Sequence, residues 1–263
     1  MGPESHPESR TDSHARTGGV ADAAPPVRVG GAPAPPAAVL LDMDGTLIDS
    51  EKVWDRSLDE LMGRLGAGPL STGARQESIG GSLWSSVRIC FREAGRDPST
   101  VPEAEMAAAG EWLFTRTGEL FGEGLPWRPG ARELLGSLRA AGVPAALVTN
   151  TIRSLVELAL DTLGRENFAA TVCGDEVGLP KPAPDPYLRA ADLLGLDPAR
   201  CLAVEDSPTG AVSAEDAGCV VLVVPCEIPV PGGPRRVHRE SLTGVTLSDL
   251  ARIHASVMSP APP

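Results

Sequence analysis

Lysine is almost missing from this chain of 263 residues, since Lys52 and Lys181 are the only two lysines among its 23 lysine and arginine residues. A lysine inside a motif is therefore a candidate functional residue, because arginine fills nearly every other cationic position. Histidine is also rare, and all four histidines fall outside the motifs described below. They are His6, His14, His238 and His254. Such a set makes a Ser-His-Asp catalytic site or a histidine-rich zinc site hard to build.

Three further absences narrow the class of protein. The cysteines show no paired metal-ligand spacing, and three fall in predicted strands, where buried free thiols are usual. The five are Cys90, Cys173, Cys201, Cys219 and Cys226. No apolar run approaches the ~20 residues that span a bilayer, and the N-terminal segment has no apolar core of a signal peptide. The net charge of −12 argues against a nucleic-acid partner. Free thiols suit a reducing compartment, so we expect a cytoplasmic protein with no membrane or nucleic-acid partner.

Composition separates the two ends of the chain from its middle. Residues 1–37, rich in Pro, Ala, Gly and Ser, and the short end 259–263 are predicted to be disordered. Between them, apolar runs alternate with helical patterns. The predicted strands are 38–42, 143–149, 170–174, 200–205 and 219–224. The predicted helices lie near 130–141, 152–164, 184–194, 208–217 and 247–257. This alternation predicts an α/β fold with a doubly wound parallel sheet covered on both faces.

The stretch from residue 50 to residue 125 breaks this alternation. It predicts three or four helices, near 52–66, 82–95 and 102–121, and no strand. We therefore predict a small inserted α-helical domain at 50–125, with the core formed by 38–49 and 126–258. Six of the nine aromatic residues lie in the insert, where they fill its own core or, for one or two of them, line a substrate pocket. These six are Trp54, Trp84, Phe91, Trp112, Phe114 and Phe121.

The first motif, Asp42-Met43-Asp44-Gly45-Thr46, directly follows the apolar run Val39-Leu40-Leu41. Alternation along an extended chain sends Asp42 and Asp44 to the same side at the carboxyl end of a buried strand. Gly45 permits a sharp turn that brings the backbone close to a ligand. Because the two carboxylates repel each other, they need a metal ion, a proton or a cationic partner.

Three more motifs follow in the chain. The segment 145–150 is an apolar strand ending in Thr149 and Asn150, and 178–185 places Lys181 in a proline-rich loop. The segment 202–210 is a third apolar strand that ends in two acids. In this order and at this spacing, the four motifs resemble those of the haloacid dehalogenase-like (HAD) phosphohydrolases. The resemblance extends over about residues 38–226 and implies a Rossmann-like core in which ligands bind at the carboxyl ends of the strands.

The resemblance implies a catalytic role for each motif residue. Asp42 would be the nucleophile that forms an aspartyl-phosphate, and Asp44 would be the general acid and base. Thr149 would donate its hydroxyl to a phosphate oxygen, with Asn150 close by. Lys181 would bridge the phosphate and the nucleophile and counter their repulsion.

The resemblance also implies a magnesium ion, which suits a set of hard oxygen ligands. The implied ligands are Asp42, the main-chain carbonyl of Asp44, and Asp206. Glu205 would act through a metal-bound water. The insert would be a mobile helical cap, with residues 126–130 as its second hinge.

Substrate selection would then fall to the cap. Arg75, Gly80, Gly81 and Ser82 resemble the cap loop that approaches the sugar phosphate in relatives. We expect Arg75 and Gly81 to bind substrate, with a solvated surface charge as the alternative for Arg75. Lys52 marks the cap entrance and has no further expected role.

These observations favour a Mg²⁺-dependent phosphatase acting on a small phosphorylated metabolite, with a sugar phosphate as one candidate, as a monomer or small homo-oligomer. A β-phosphoglucomutase-like mutase is an alternative, but those relatives carry a histidine where this chain has Trp54. A true dehalogenase lacks the acid found here at Asp44. A non-catalytic phosphometabolite-binding protein is a third reading, and the complete set of motif residues argues against it.

Overall fold

The computed structural model of the protein describes residues 33–258. The tail predicted at 1–37 therefore lies mostly outside the described residues, and the end predicted at 259–263 lies wholly outside them. No helix within the described range has the length and apolar character needed to cross a membrane.

Six parallel strands form one sheet in this part of the chain, in the order β3-β2-β1-β4-β5-β6. The strands are β1 Ala38–Leu41, β2 Ala145–Val148, β3 Ala170–Val172, β4 Cys201–Glu205, β5 Val220–Val223 and β6 Arg236–His238. Strands β1, β2, β4 and β5 are buried along their whole length, as expected for apolar strands covered on both faces. Five of the strands confirm the sequence prediction. The sixth, β6, was not predicted, because three residues of mixed polarity show no strand period.

Five helices follow the strands and cover the sheet. They are α5 Ala131–Ala140, α6 Arg153–Leu163, α7 Asp185–Leu193, α8 Pro208–Asp216 and α9 Leu247–Met258. One face of the sheet is packed by bulky aliphatic side chains, and the other by smaller residues, mainly alanine and valine around Tyr187. The doubly wound α/β fold predicted from the sequence is confirmed.

Four helices form the insert between β1 and α5, and we call them the helical insert. They are α1 Glu51–Arg64, α2 Thr72–Ser78, α3 Leu83–Glu93 and α4 Glu103–Gly122. Helix α2 was not placed by the sequence analysis because it has only two turns. Its start is nevertheless marked by an N-cap, since the Ser71 hydroxyl accepts a hydrogen bond from Ala74 N at 3.2 Å.

The helical insert has a hydrophobic cluster of its own, with Leu58, Phe91 and Leu113 fully buried within it. Both predicted classes occur among its aromatic residues, although Trp84 is exposed. Phe91 fills the insert's core, whereas Trp54 lines the cavity described below. Phe121 instead joins the main core, where its ring meets that of Trp54 edge to face at 6.4 Å.

The two connections between the insert and the sheet run side by side. Asp49 N donates to Pro126 O at 2.8 Å, and Arg128 N donates to Leu47 O at 2.9 Å. A bridge between Ile48 and residue 127 lies between these bonds. The insert is thus joined to the core by two connecting segments that are hydrogen-bonded to each other.

Candidate active site

The catalytic motifs meet because their strands are neighbours. Strand β1 lies between β2 and β4, so the residues that follow these three strands share one edge of the sheet. The register continues past β1, where Asp42 N donates to Val204 O at 3.1 Å. Beyond β4, the Ser207 hydroxyl caps α8 by accepting from Gly210 N at 3.1 Å. This cap turns the chain directly after Glu205 and Asp206.

Lys181 lies at the centre of a buried chain of charged groups. Its Nζ is 2.7 Å from Asp42 Oδ1 and 2.6 Å from Glu205 Oε1. The Tyr187 hydroxyl donates to the same Glu205 oxygen. Because all four residues are at least 94% buried, the ammonium is held firmly against the carboxylate of the predicted nucleophile.

Uncompensated negative charge remains around this lysine. Burial first, and then the nearby charge of Glu205, raise the pKa of the Asp42 carboxyl to about 7 against the opposing effect of Lys181. The pKa of Asp206 is also raised, first by burial and then by the charge of Asp42. Although burial alone would lower the pKa of Lys181, its two carboxylate partners raise that pKa above its usual value. One ammonium therefore does not neutralise the acids at this edge.

The arrangement of oxygens suits a divalent cation. Asp42, Glu205 and Asp206 each offer a carboxylate oxygen within 4.8 Å of the others. Asp42 Oδ2 is buried and has no hydrogen-bond partner among the described residues. Glu205 is already engaged by Lys181, which leaves Asp42 and Asp206 as the freer ligands. All of these atoms are hard oxygens, the donor type that Mg²⁺ prefers.

Gly45 brings the first motif close to Asp206. Its φ of +79° lies in the left-handed region, and a Cβ at this position would overlap the Asp206 carboxylate. On the other side, Thr46 Oγ1 donates to Asp206 Oδ1 at 3.4 Å. Glycine is therefore required at position 45 both by backbone conformation and by space.

Asp44 is surrounded by hydrogen-bond donors. Its Oδ1 accepts from Ser50 Oγ at 2.5 Å and from Trp54 Nε1 at 3.4 Å. Its Oδ2 accepts from Thr151 Oγ1 at 2.7 Å and from Thr149 Oγ1 at 3.1 Å. These donors fix the orientation of the carboxyl, and three of them are hydroxyls that can rotate when it carries a proton.

Thr149 and Asn150 both make hydrogen bonds within the protein. The single hydroxyl proton of Thr149 is directed to Asp44, so it is not free for a phosphate oxygen in this arrangement. The Asn150 carboxamide donates to Gly80 O at 2.8 Å and to Lys181 O at 3.1 Å. It also accepts from Lys181 N at 2.8 Å. Asn150 thus ties the lysine loop to the helical insert.

A cavity lies between the sheet edge and the helical insert. Eighteen residues line it, including the motif residues Asp42, Asp44, Thr149, Lys181 and Asp206. The insert contributes the remaining wall, mostly from one face of α1 and from the segment joining α2 to α3. These insert residues are Glu51, Trp54, Asp55, Leu58, Ser78, Gly80, Gly81, Ser82, Leu83 and Ser86.

The predicted cap residues fall in two groups. Gly81 lines the cavity, and a Cβ there would lie 2.7 Å from Ser85 Oγ. Arg75 does not line the cavity, because its guanidinium pairs with Asp55 and, at 2.9 Å, with Asp59. Lys52 is exposed and pairs with Asp49 at 2.9 Å.

Several residues at the site were missed by the sequence analysis. Thr151 follows Thr149 by two positions, and extended alternation could have placed both on one side. Ser50 stands four positions before Trp54, so the two lie on one helix face; the sequence analysis named Trp54 but not its contact with Asp44. The single tyrosine, Tyr187, lies six positions after Lys181 and carried no signal of its own.

Enzymes with an open, doubly wound α/β sheet bind their ligands at the carboxyl ends of the strands, which is where the acid-rich pocket of this protein lies. Comparison with known proteins narrows the class. The family model of the haloacid dehalogenase-like hydrolases matches residues 36–218. Hexitol phosphatase B of Escherichia coli K12 is 30% identical over 218 residues, which is 81% of this chain and 96% of that protein. The protein belongs to the haloacid dehalogenase-like hydrolase family.

Solved structures agree with this assignment. CbbY from Rhodobacter sphaeroides in complex with phosphate is 28% identical, with a TM-score of 0.69, and the match covers 80% of this chain and 96% of CbbY. β-Phosphoglucomutase from Clostridium difficile superimposes with a TM-score of 0.73 over 84% of this chain and 98% of its own. Its identity of 17% supports a shared fold and no more.

Proposed function

We propose that this enzyme is a Mg²⁺-dependent phosphatase that hydrolyses a small phosphorylated metabolite through an aspartyl-phosphate on Asp42. Its family membership makes it a phosphoric monoester hydrolase. One observation supports the mechanism most: Asp42 has one oxygen held by Lys181 at 2.7 Å and a second oxygen that is buried without a partner among the described residues. Such a carboxylate is oriented and faces the cavity.

The donor set fits magnesium. In this proposal Asp42, Asp206 and the main-chain carbonyl of Asp44 bind the ion. Glu205 remains paired with Lys181 and holds the lysine in position. When bound, Mg²⁺ would neutralise charge on the phosphoryl group and on these carboxylates. Burial and then the charge of neighbouring carboxylates raise the pKa of Asp42 and of Asp206, and such an ion would balance that charge.

The chain's own residues then account for both chemical steps. An Asp42 oxygen attacks phosphorus, and the bond from phosphorus to the leaving oxygen breaks. Asp44 donates its proton to that oxygen, so the alcohol leaves neutral. Asp44 next takes a proton from a water molecule as the water attacks phosphorus. The bond between phosphorus and Asp42 breaks, which releases phosphate and restores both carboxyls.

The neighbouring residues position these groups. Lys181 holds Asp42 and offsets the approach of an anionic phosphoryl group. Thr149 reaches the phosphate in this proposal only when its hydroxyl turns away from Asp44. Asn150 acts mainly by positioning, because its carboxamide is bonded to the Lys181 peptide and to Gly80.

The substrate class and setting are part of the proposal. Hexitol phosphatase B is among the similar proteins, and a small phosphorylated metabolite such as a sugar phosphate suits a cavity of this kind. The five free cysteines agree with a reducing cytoplasm. We propose no nucleic-acid or membrane partner, and a monomer or small homo-oligomer.

No observation on the described residues favours the mutase alternative. The residue at the position where β-phosphoglucomutases carry histidine is Trp54, whose indole nitrogen donates to Asp44. Indole is a donor only and cannot move a proton as imidazole does. Retention of every motif residue also disfavours a binding protein without activity.

The experiment is phosphate release from p-nitrophenyl phosphate by the purified protein. We expect turnover with Mg²⁺, none in excess EDTA, and none with Asp42→Asn, because an amide cannot take the phosphoryl group in this way. The matched control is Asp49→Asn, which changes a nearby aspartate outside the cavity. Equal rates from Asp42→Asn and the wild type would show that the nucleophile is wrong.

A further inference from the structure

The cavity beyond the catalytic residues is rich in hydrogen-bond acceptors and poor in cations. Among the described residues that line it, Lys181 is the single lysine, and there is no arginine or histidine. Lys181 already pairs with Asp42 and Glu205. Within the described part of the chain, the insert side of the cavity therefore offers no cation to a second anionic group of a substrate.

Two carboxyls of α1 line that side. Glu51 and Asp55 are four residues apart, so they share one face of the helix. Burial first, and then the charges of Asp44 and Asp42, raise the pKa of Glu51 to about 8. The charges that act most strongly on Glu51 are thus all negative.

Asp55 is fixed in its orientation by Arg75. The guanidinium pairs with Asp55 Oδ1 and reaches Asp59 at 2.9 Å, so it lies between two carboxylates. Because Asp55 lines the cavity and Arg75 does not, the arginine influences a substrate only through this aspartate. A carboxylate held in this way by an arginine can accept hydrogen bonds from a substrate but can donate none.

Hydroxyl groups line another part of the insert wall. Ser78, Ser82 and Ser86 come from the end of α2 and the start of α3. A serine hydroxyl both donates and accepts. A wall that combines a carboxylate acceptor with several hydroxyls matches a ligand that carries several hydroxyl groups and no charge of its own.

We infer that the leaving alcohol of the substrate is an uncharged polyol or sugar, and that Asp55 selects it by accepting a hydroxyl and repelling carboxylates and second phosphates. This inference rests on the proposed phosphatase function and adds the chemical class of the leaving group. The Asp55 side chain is 43% exposed and paired with Arg75, so its repulsion is partly screened and acts on a substrate group that lies close to it.

The test compares two substrates with the same carbon skeleton. Sorbitol 6-phosphate ends in a CH₂OH group where 6-phosphogluconate has a carboxylate. We expect kcat/KM for sorbitol 6-phosphate to be at least about tenfold higher. In Asp55→Asn, which keeps the shape and removes the charge, we expect this ratio to fall at least about fivefold.

Asp59→Asn is the matched control. Asp59 also lies on α1 and also pairs with Arg75, but it does not line the cavity. The ratio should therefore stay at its wild-type value in this variant. Circular dichroism checks that both variants fold. The comparison of the two substrates with the wild-type enzyme does not depend on either variant.

Each remaining outcome has a definite meaning. If 6-phosphogluconate is cleaved as well as sorbitol 6-phosphate while p-nitrophenyl phosphate is hydrolysed, the inferred class is wrong and the phosphatase function stands. If the preference exists but survives in Asp55→Asn, the role of Asp55 is wrong. If none of the three esters is hydrolysed with Mg²⁺, the proposed function fails and the inference fails with it.

Discussion

Replacing Gly45 by alanine separates backbone strain from damage to the active site. The new Cβ would overlap the Asp206 carboxylate. It would lie less than 3.0 Å from carboxylate atoms, a separation that real Cβ atoms essentially never show. Either the carboxylate or the first-motif backbone must move by on the order of 1 Å, and such a displacement costs roughly 10²-fold in rate. The φ of +79° adds a folding cost of about 1–2 kcal/mol for a residue with a Cβ.

Gly66→Ala provides the matched control for this experiment. Gly66 has a φ of +77°, and nothing lies within 4 Å of the position that an alanine methyl group would take there. Backbone strain should therefore cost both variants about 1–2 kcal/mol of unfolding free energy in urea titrations, and Gly45→Ala should lose more because of its overlap with Asp206. In steady-state assays, only Gly45→Ala should lose about 10²-fold in kcat, with a higher Mg²⁺ requirement. Equal kcat values for the two variants would refute the placement of Asp206 in the site.

Two further predictions concern the charge at the site. Lys181→Arg should lower kcat by roughly 10²-fold with folding intact by circular dichroism, because the planar guanidinium does not fit between Asp42 and Glu205. Lys52→Arg is its control, since Lys52 is exposed, and a Lys181→Arg rate within a few-fold of wild type would make Lys181 an ordinary cation. Calcium should support less than about a tenth of the magnesium rate, because it accepts more ligands and can bind both oxygens of Asp42. Equal rates with the two ions in the same assay would count against the proposed ligand set.

Much of this fold could be predicted from the sequence because its signals are local. A buried apolar run followed by Asp42 and Asp44 needs only the two-residue alternation of a strand. The parallel sheet follows from regular alternation of strands and helices. Strand β6 was missed because its three residues form a strand only by pairing with β5. Helix α2 was missed because seven residues show little periodicity.

The candidate site was less predictable where it depends on contacts between distant segments. Pairing of Asn150 with Gly80 joins residues 70 positions apart, and no local pattern reports it. Tyr187 reaches Glu205 only because α7 packs on the sheet. The sequence analysis expected Arg75 to bind substrate, but the nearby Asp55 and Asp59 engage its charge. A long side chain near a pocket can pair with several groups, and packing decides which.

The central claim is that the phosphoryl group passes through Asp42, and the stereochemical course at phosphorus tests this most directly. A phosphorothioate ester made chiral by one ¹⁸O is hydrolysed in ¹⁷O-labelled water with Mg²⁺, and the configuration of the released chiral thiophosphate is determined. Each in-line displacement inverts phosphorus. Two displacements, first by Asp42 and then by water, predict overall retention. Overall inversion would mean that water attacks the substrate directly, and it would contradict the account.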